Sequence, residues 1–271
     1  MGAKIAVVVS TYNNPELLRL ALDGYRQQTG SNFTIYIADD GSTEETRELI
    51  LAAQADYPTD IIHVWHEDAG FRKARIHNLT LRRVKEPYVL LTDGDCVPLP
   101  GLLETHARLA GKGYFISGRR VLASRTWTES LRQQGGFKTD ISSMTWLGHR
   151  LRGRINRILP IMASVRLGSP HEALAGIRGC HLGCWLDDLR AVNGFDESFE
   201  GWGREDSDLV ARLLHASVKR RDLAAPPVLH LWHAEHGRAR LDENDAILQA
   251  CIEERRIRAK TGIDELEQEG A

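Results

Sequence analysis

The chain has 271 residues, 42% of them hydrophobic and 27% charged, with a formal charge of −2. That length can bury a sizeable core in one large domain or two small ones, and the composition is that of a soluble globular protein. The near-neutral balance offers no general attraction to nucleic acid.

Met1–Val9 is too short an apolar run for a spanning helix and leads directly into β-branched sequence, so it does not read as a signal peptide. Ala6 stands where a myristoylation signal wants Ser or Thr. Lys4–Ser10 is the first expected strand. Asn14, followed by Pro15, is expected to cap a helix whose apolar face is Leu17, Leu18, Ala21, Leu22 and Tyr25. A second strand is expected over Phe33–Ala38, then a helix capped by Ser42 or Thr43 and running to about Ala55. Ile61–Trp65 is the third strand, about Phe71 to Val84 a helix, and Tyr88–Thr92 the fourth strand. This order predicts an α/β fold, a mostly parallel sheet covered by helices on both faces. Ligands of such sheets bind beyond the carboxyl ends of the strands. Those ends read Ser10-Thr11-Tyr12-Asn13, Asp39-Asp40-Gly41-Ser42, His66-Glu67-Asp68-Ala69-Gly70 and Asp93-Gly94-Asp95, four polar clusters that should line one rim.

A short helix near Leu102–Leu109 and a strand at Tyr114–Ser117 follow. Residues 119–175 read as a basic helical insertion, with ten Lys or Arg against two acids, Glu129 and Asp140, between Arg119 and Arg166. Beyond it, a strand over His181–Leu186, a helical turn to Val192, a loop Gly201–Glu205, a helix Asp206–Ala216, a strand Val228–His233 and a helix Leu241–Lys260 rich in i,i+4 charge pairs are expected. Cysteines 96, 180, 184 and 251 form no pair of C-x-x-C motifs, and reduced thiols of a cytoplasmic protein are the simplest account.

Four groups of residues carry chemistry. In Asp93-Gly94-Asp95 two acids one residue apart would point the same way on a strand, with a glycine between them that lets an anion approach; a divalent cation bridging them to phosphates would relieve their repulsion. An ordinary polar turn is the other reading. Asp39-Asp40-Gly41-Ser42-Thr43 suits a nucleotide base and ribose, or merely a helix cap. Gly70-Phe71-Arg72-Lys73-Ala74-Arg75 offers backbone N–H groups and cations to a diphosphate, or is a solvated basic turn; Asn78 would order that turn. Asp196-Glu197 and Gly201-Trp202-Gly203-Arg204-Glu205-Asp206 place an indole for a sugar face and acids at a helix N-terminus, against a capping Asp and a core Trp. His230 and His233, three apart, would lie on opposite faces of a strand, so at most one would join a given metal.

Together these motifs resemble a GT-A fold family 2 glycosyltransferase. The C-terminal half is similar to the galactosyltransferase-type module of chondroitin polymerases and of animal galactosyl- and N-acetylgalactosaminyltransferases. The resemblance covers roughly residues 4–118 and 176–236 and leaves 120–175 unmatched. It implies a nucleotide-sugar-binding half (1–118), the insertion (119–175), an acceptor and catalytic half (176–240) and a C-terminal helix (241–271). It further implies a UDP-sugar donor held by Thr11, Tyr12, Asn13, Asp39, Asp40, Arg72, Arg75, Asp93 and Gly94, with Asp39 on the uracil and Asp93 on the ribose or diphosphate. Asp95 and His233, with His230 in reserve, would hold Mn2+ or Mg2+. Asp206 would be the base, Glu205 would hold an acceptor hydroxyl, and Trp202, Gly203 and Asp196 would face the acceptor sugar. The implied activity is inverting transfer of a hexose or N-acetylhexosamine to a glycan or lipid-linked glycan, in bacterial cell-surface polysaccharide or lipopolysaccharide synthesis. A non-catalytic glycan-binding protein of this fold and a nucleotidyltransferase are the rivals. Arg150, Arg152, Arg154, Arg157 and Arg166 interleave with apolar residues, which suits a peripheral contact with the inner, anionic face of a plasma membrane, a grip on a phosphorylated lipid-linked acceptor, or a solvated helical face.

Overall fold

Seven consecutive buried residues, Ile5–Thr11, make β1, the strand around which the fold is built. The computed structural model describes residues 2–28, 32–134, 136–139, 142–234 and 237–266. After β1 come α1 (Pro15–Arg26), β2 (Phe33–Asp39), α2 (Glu44–Ala55), β3 (Ile61–Trp65), α3 (Lys73–Arg83) and β4 (Tyr88–Asp93). Then follow β5 (Cys96–Pro98), α4 (Leu102–Leu109), β6 (Tyr114–Ser117), β7 (Arg120–Leu122), α5 (Arg125–Gln133), α6 (Ser143–Leu151) and α7 (Leu159–Met162). The last third holds β8 (Leu182–Trp185), α8 (Leu186–Ala191), α9 (Glu205–His215), β9 (Lys219–Asp222), β10 (Val228–His230) and α10 (Leu241–Glu253).

The main sheet has the order β3-β2-β1-β4-β8-β6-β9 and is mostly parallel, as expected; β8 alone runs against its neighbours β4 and β6. Buried on both faces, β1 and β2 are near-continuous apolar runs, the signature of strands covered by helices on each side. Register decides where the polar ends fall. Thr11 pairs with Asp39, Ser10 with Asp93 and Asp39 with Trp65, so the strand ends arrive at one level.

A second sheet, β5-β10-β7, sits beyond the Asp93-Gly94-Asp95 turn. In it β10 runs antiparallel to β5, pairing His230 with Cys96. Trp127 and Trp146 from α5 and α6 pack with Val97, Val121 and Leu229 into a separate apolar cluster over this sheet, which ties the basic stretch to the fold.

Several boundaries depart from expectation for local reasons. Asn14 and Thr43 precede their helices without a capping side-chain bond, and Ser42 Oγ instead accepts the Asn13 N–H. α3 starts at Lys73 because Asp40 Oδ2 takes the Arg72 N–H. β10 stops at His230, since the next two N–H groups leave the ladder for the Asp95 carbonyl and Thr128 Oγ1. α10 ends at Glu253, where Arg255 turns left-handed and the chain folds back onto Val192 and Asn193; residues 267–271 of the expected C-terminal helix lie outside the described residues. Nor do i,i+4 pairs run along α10: its acids Glu243 and Asp245 pair with Arg240 and Arg204. All four cysteines are buried and free.

Candidate active site

The four polar strand ends do line one rim, and they are knitted to each other. Tyr12 OH donates to Asp68 Oδ2 at 3.0 Å, and Asn13, in the left-handed region, accepts the Thr43 N–H at 2.8 Å. Thr11 closes β1 beside Asp39. Asp39 is fully buried, with Oδ1 accepting the Ser42 N–H at 2.9 Å and Oδ2 2.8 Å from His63 Nε2. Asp40, also buried, contacts His66 Nε2 at 2.7 Å and the Arg72 N–H. Both acids therefore already serve as ties from the second rim segment to β3, to the third segment and to the start of α3.

Asp93 and Asp95 engage different partners, and both lie near the Cys96 thiol. Asp93 is the last residue of β4 while Asp95 lies in the turn, so strand alternation stops between them. Asp93 Oδ1 faces Ser10 Oγ at 2.8 Å and Lys73 Nζ at 2.6 Å. Burial works against ionisation of Asp93, but the Lys73 ammonium and the Ser10 bond outweigh it and hold the carboxyl well below the usual range. Asp95 Oδ2 lies 2.9 Å from His233 Nε2 and 3.7 Å from His230 Nε2. Burial again opposes ionisation there, while the His233 hydrogen bond and the charge of His230 bring the Asp95 pKa down. Because β10 ends at His230, both imidazoles reach the same carboxylate, 5.3 Å apart, and the expectation of opposite faces fails. Gly94 also has a reason other than ligand approach: a Cβ there would meet the Ser10 carbonyl at 3.1 Å and Thr11 Cβ at 3.3 Å.

A carboxylate oxygen with imidazole nitrogens at 2.9 and 3.7 Å offers a donor set that suits a divalent first-row cation. The buried thiol of Cys96, near Asp95 and His230, is pushed by burial well above its ordinary pKa, so it is a poor candidate ligand beside them.

Across from this turn stands the N-terminus of α9. Gly201 and Gly203 are left-handed, and the Gly201 N–H donates to the Phe71 carbonyl at 3.0 Å, joining this loop to the segment before α3. Trp202 remains 38% exposed with the Arg238 guanidinium over its ring, so it is not a core residue. Asp206 Oδ2 accepts the Gly179 N–H at 2.8 Å. Glu205 is buried, 4.0 Å from Lys73 Nζ, and its Oε2 has no partner. Burial, reinforced by neighbouring Asp206 and opposed by Lys73, pushes the Glu205 pKa up to about 7.

Other expected residues are placed differently. Arg75 binds Glu197 at 3.2 Å, and Asn78 orders residues 195–197, not its own turn, by bonding both Phe195 backbone groups and Glu197. Asp196 is fully buried, its oxygens taken by the N–H groups of Ser198 and Lys260. It anchors the chain and presents no surface to a sugar.

The model of the family described as "Glycosyl transferase family 2" matches residues 6–165. This chain belongs to glycosyl transferase family 2. A second model, "N-terminal domain of galactosyltransferase", matches residues 161–236 of this family 2 chain, the part carrying Glu205, Asp206, His230 and His233. It is 24% identical to a chondroitin synthase of Escherichia coli over 83% of its own length and 34% of the synthase. The chain thus spans about a third of that relative. S. aureus TarS in complex with UDP shares its fold, with a TM-score of 0.62 at 14% identity over 96% of this chain and 68% of that one. A mannosyltransferase from Pyrobaculum calidifontis in complex with GDP-Man and Mn2+ gives 0.55 at 18% over 86% and 57%. The expected GT-A architecture is therefore the architecture of this family 2 chain.

Lys73 escaped the sequence reading as an individual residue, although its motif was recognised. Three cations share one helical turn there, and only the true start of α3 decides which faces Asp93. Gly179 opens the second dense stretch of the sequence, but nothing in it marks the N–H that holds Asp206.

Proposed function

We propose that this chain is the catalytic part of a metal-dependent inverting glycosyltransferase. It moves a hexose or N-acetylhexosamine from a UDP-sugar to a hydroxyl of a glycan acceptor, in the building of a cell-surface polysaccharide or lipopolysaccharide. The observation that carries this reading is Lys73, which links Glu205 at the start of α9 to Asp93, two residues from Asp95 and its two imidazoles. The uridine rests on the rim of Thr11, Tyr12 and Asn13 above Asp39 and Asp40, and the diphosphate lies between Arg72, Lys73 and the Asp93-Gly94-Asp95 turn. Asp95, His233 and His230 would hold Mn2+ or Mg2+, which when bound would neutralise charge on the leaving diphosphate. Asp206 accepts the proton of the acceptor hydroxyl as that oxygen bonds to the anomeric carbon and the bond to the diphosphate breaks. Glu205 orients the same hydroxyl, and Trp202 and Gly203 border the acceptor sugar. A purely sugar-binding protein would need no acid pair facing the cation ligands. UDP release measured across a panel of UDP-sugars tests the reading; no release from any of them, with GDP-sugars as the control, would overturn it.

Asp95→Ala is expected to abolish the gain in UDP affinity that Mn2+ confers. Titration with and without the ion checks this, and an unchanged difference would remove Asp95 from the cation site. Of the imidazoles, His233 at 2.9 Å is expected to matter more than His230 at 3.7 Å, so His233→Ala should weaken Mn2+-dependent UDP binding further than His230→Ala.

The basic stretch supports a peripheral membrane contact. Met144, Leu147 and Leu151 lie on one side of α6 at i, i+3 and i+7, and with Leu159 and Met162 they are exposed, Leu151 and Leu159 by 78% and 77%. Arg150, Arg152 and Arg157 border them, the pairing of apolar face and cations that binds anionic headgroups. No helix among the described residues is long and apolar enough to cross a membrane. Flotation with anionic vesicles is expected to carry the protein upward and neutral vesicles to leave it behind; equal behaviour would refute the contact.

A further inference from the structure

A cavity of about 260 Å³ is lined by Arg119, Arg120, Arg157, Arg178, Arg220 and Asp222 among others. Five guanidiniums around one carboxylate is an unusual balance, and the carboxylate is already engaged. Asp222 contacts Arg220 Nε at 2.8 Å and His171 Nε2 at 3.3 Å. Arg220 is itself buried and donates to the Ala173 and Ala175 carbonyls, which makes it the floor of the cavity. Arg157 and Arg178 donate only to the carbonyls of Arg120 and Ile177. Among the described residues, none of Arg119, Arg120, Arg157 and Arg178 has a carboxylate partner. Like charges gathered around one hollow repel, and an anion placed among them removes that repulsion.

Position shows which substrate the anion would belong to. Arg178 directly precedes Gly179, whose N–H holds Asp206. Arg120 opens β7, which pairs with β10, the strand that ends in His230. The cavity therefore adjoins the residue that holds Asp206 and the strand that carries His230, and it includes none of the nucleotide-rim residues from Thr11 to Arg72. A group bound here is not the donor's diphosphate. We infer that the cavity docks a phosphate carried by the glycan acceptor, an inference that rests on the glycosyl-transfer reading and names its substrate class. Guanidinium forks match phosphate oxygens two at a time, and four unpaired cations exceed what a single sugar carboxylate would balance.

Calorimetric titration of the full chain in metal-free buffer with UDP present tests the assignment. Glucose 6-phosphate, inorganic phosphate and glucose are the probes. Glucose 6-phosphate and inorganic phosphate are expected to bind saturably and glucose not at all, with binding retained in Asp95→Ala. Arg119→Gln/Arg178→Gln should weaken glucose 6-phosphate by roughly tenfold or more, the scale of one charge-assisted contact, while Mn2+–UDP affinity and the melting curve stay as in the parent. Binding of inorganic phosphate alone would mean a free-ion site and overturn the acceptor assignment. So would equal binding in the double variant, or no saturable binding at millimolar concentrations. UDP release read on the same preparation separates the two assignments: its absence, with phosphate binding intact, fails the glycosyl-transfer reading and not the anion site.

Discussion

Asp206→Asn is expected to keep UDP binding and to lose turnover by ~10²–10⁴, the usual contribution of a positioned base. Three acids open α9, and their surroundings give them three tasks. Asp208 is fully buried against Arg212 and has no access to substrate. Glu205 has its pKa raised to about 7 and a buried, unpartnered Oε2, so near neutrality it is part protonated and suited to hydrogen-bonding an acceptor oxygen rather than to serving as the base. Asp206 remains: one oxygen is fixed by the Gly179 N–H, and the side chain is only partly buried. Asparagine keeps an oxygen for that N–H and loses the capacity to take a proton, so the substitution isolates the chemistry from the fold. Glu205→Gln is the comparison, expected to raise KM for the acceptor more than it lowers kcat. Steady-state UDP release with acceptor, beside a UDP titration, measures both. Turnover retained in Asp206→Asn would take the base role from it.

The backbone of this site was far more legible than its side chains. Apolar runs of strand length, each ending in a polar cluster, place the clusters on one rim because parallel strands of a covered sheet end at the same level. Glycines flanking Trp202 likewise announce a turn into a helix. The failures have a common cause, the direction of a side chain at an element boundary. Strand alternation does not extend past His230 into the segment carrying His233, so two imidazoles expected on opposite faces reach one carboxylate. The start of α3 lay two residues later than periodicity suggested, which is why Lys73 escaped notice while Arg75, tied to Glu197, was expected at the diphosphate. Burial of Asp196 depends on the chain returning from α10, a contact between residues 64 apart that no local pattern contains.

Asp208→Ala is expected to destabilise the fold by about 3–5 kcal/mol, the range for breaking one side of a buried ion pair. Arg212 and Asp208 are both fully buried, and their contact is 2.8 Å. The guanidinium also donates to the Val192 and Gly194 carbonyls at 2.7 Å each, while its second terminal nitrogen has no partner. Alanine at 208 would leave that cation with carbonyl dipoles alone, in surroundings where water cannot replace the lost carboxylate. Against a typical domain stability of about 5–15 kcal/mol the loss is large. Urea unfolding followed by tryptophan fluorescence measures it as a fall in the midpoint. The double change Asp208→Leu/Arg212→Met should recover much of the loss, because the dominant cost is the stranded charge and not the missing attraction. A midpoint for Asp208→Ala within about 1 kcal/mol of the parent would mean that water reaches Arg212. The consequence extends to the site. Val192 and Gly194 lead into residues 195–197, which Asn78 and Arg75 bind from α3, and α9 carries Glu205 and Asp206 at its start. One buried pair thus fixes α9 against the segment that α3 binds, so in Asp208→Ala the molecules that remain folded should lose turnover before they lose UDP affinity.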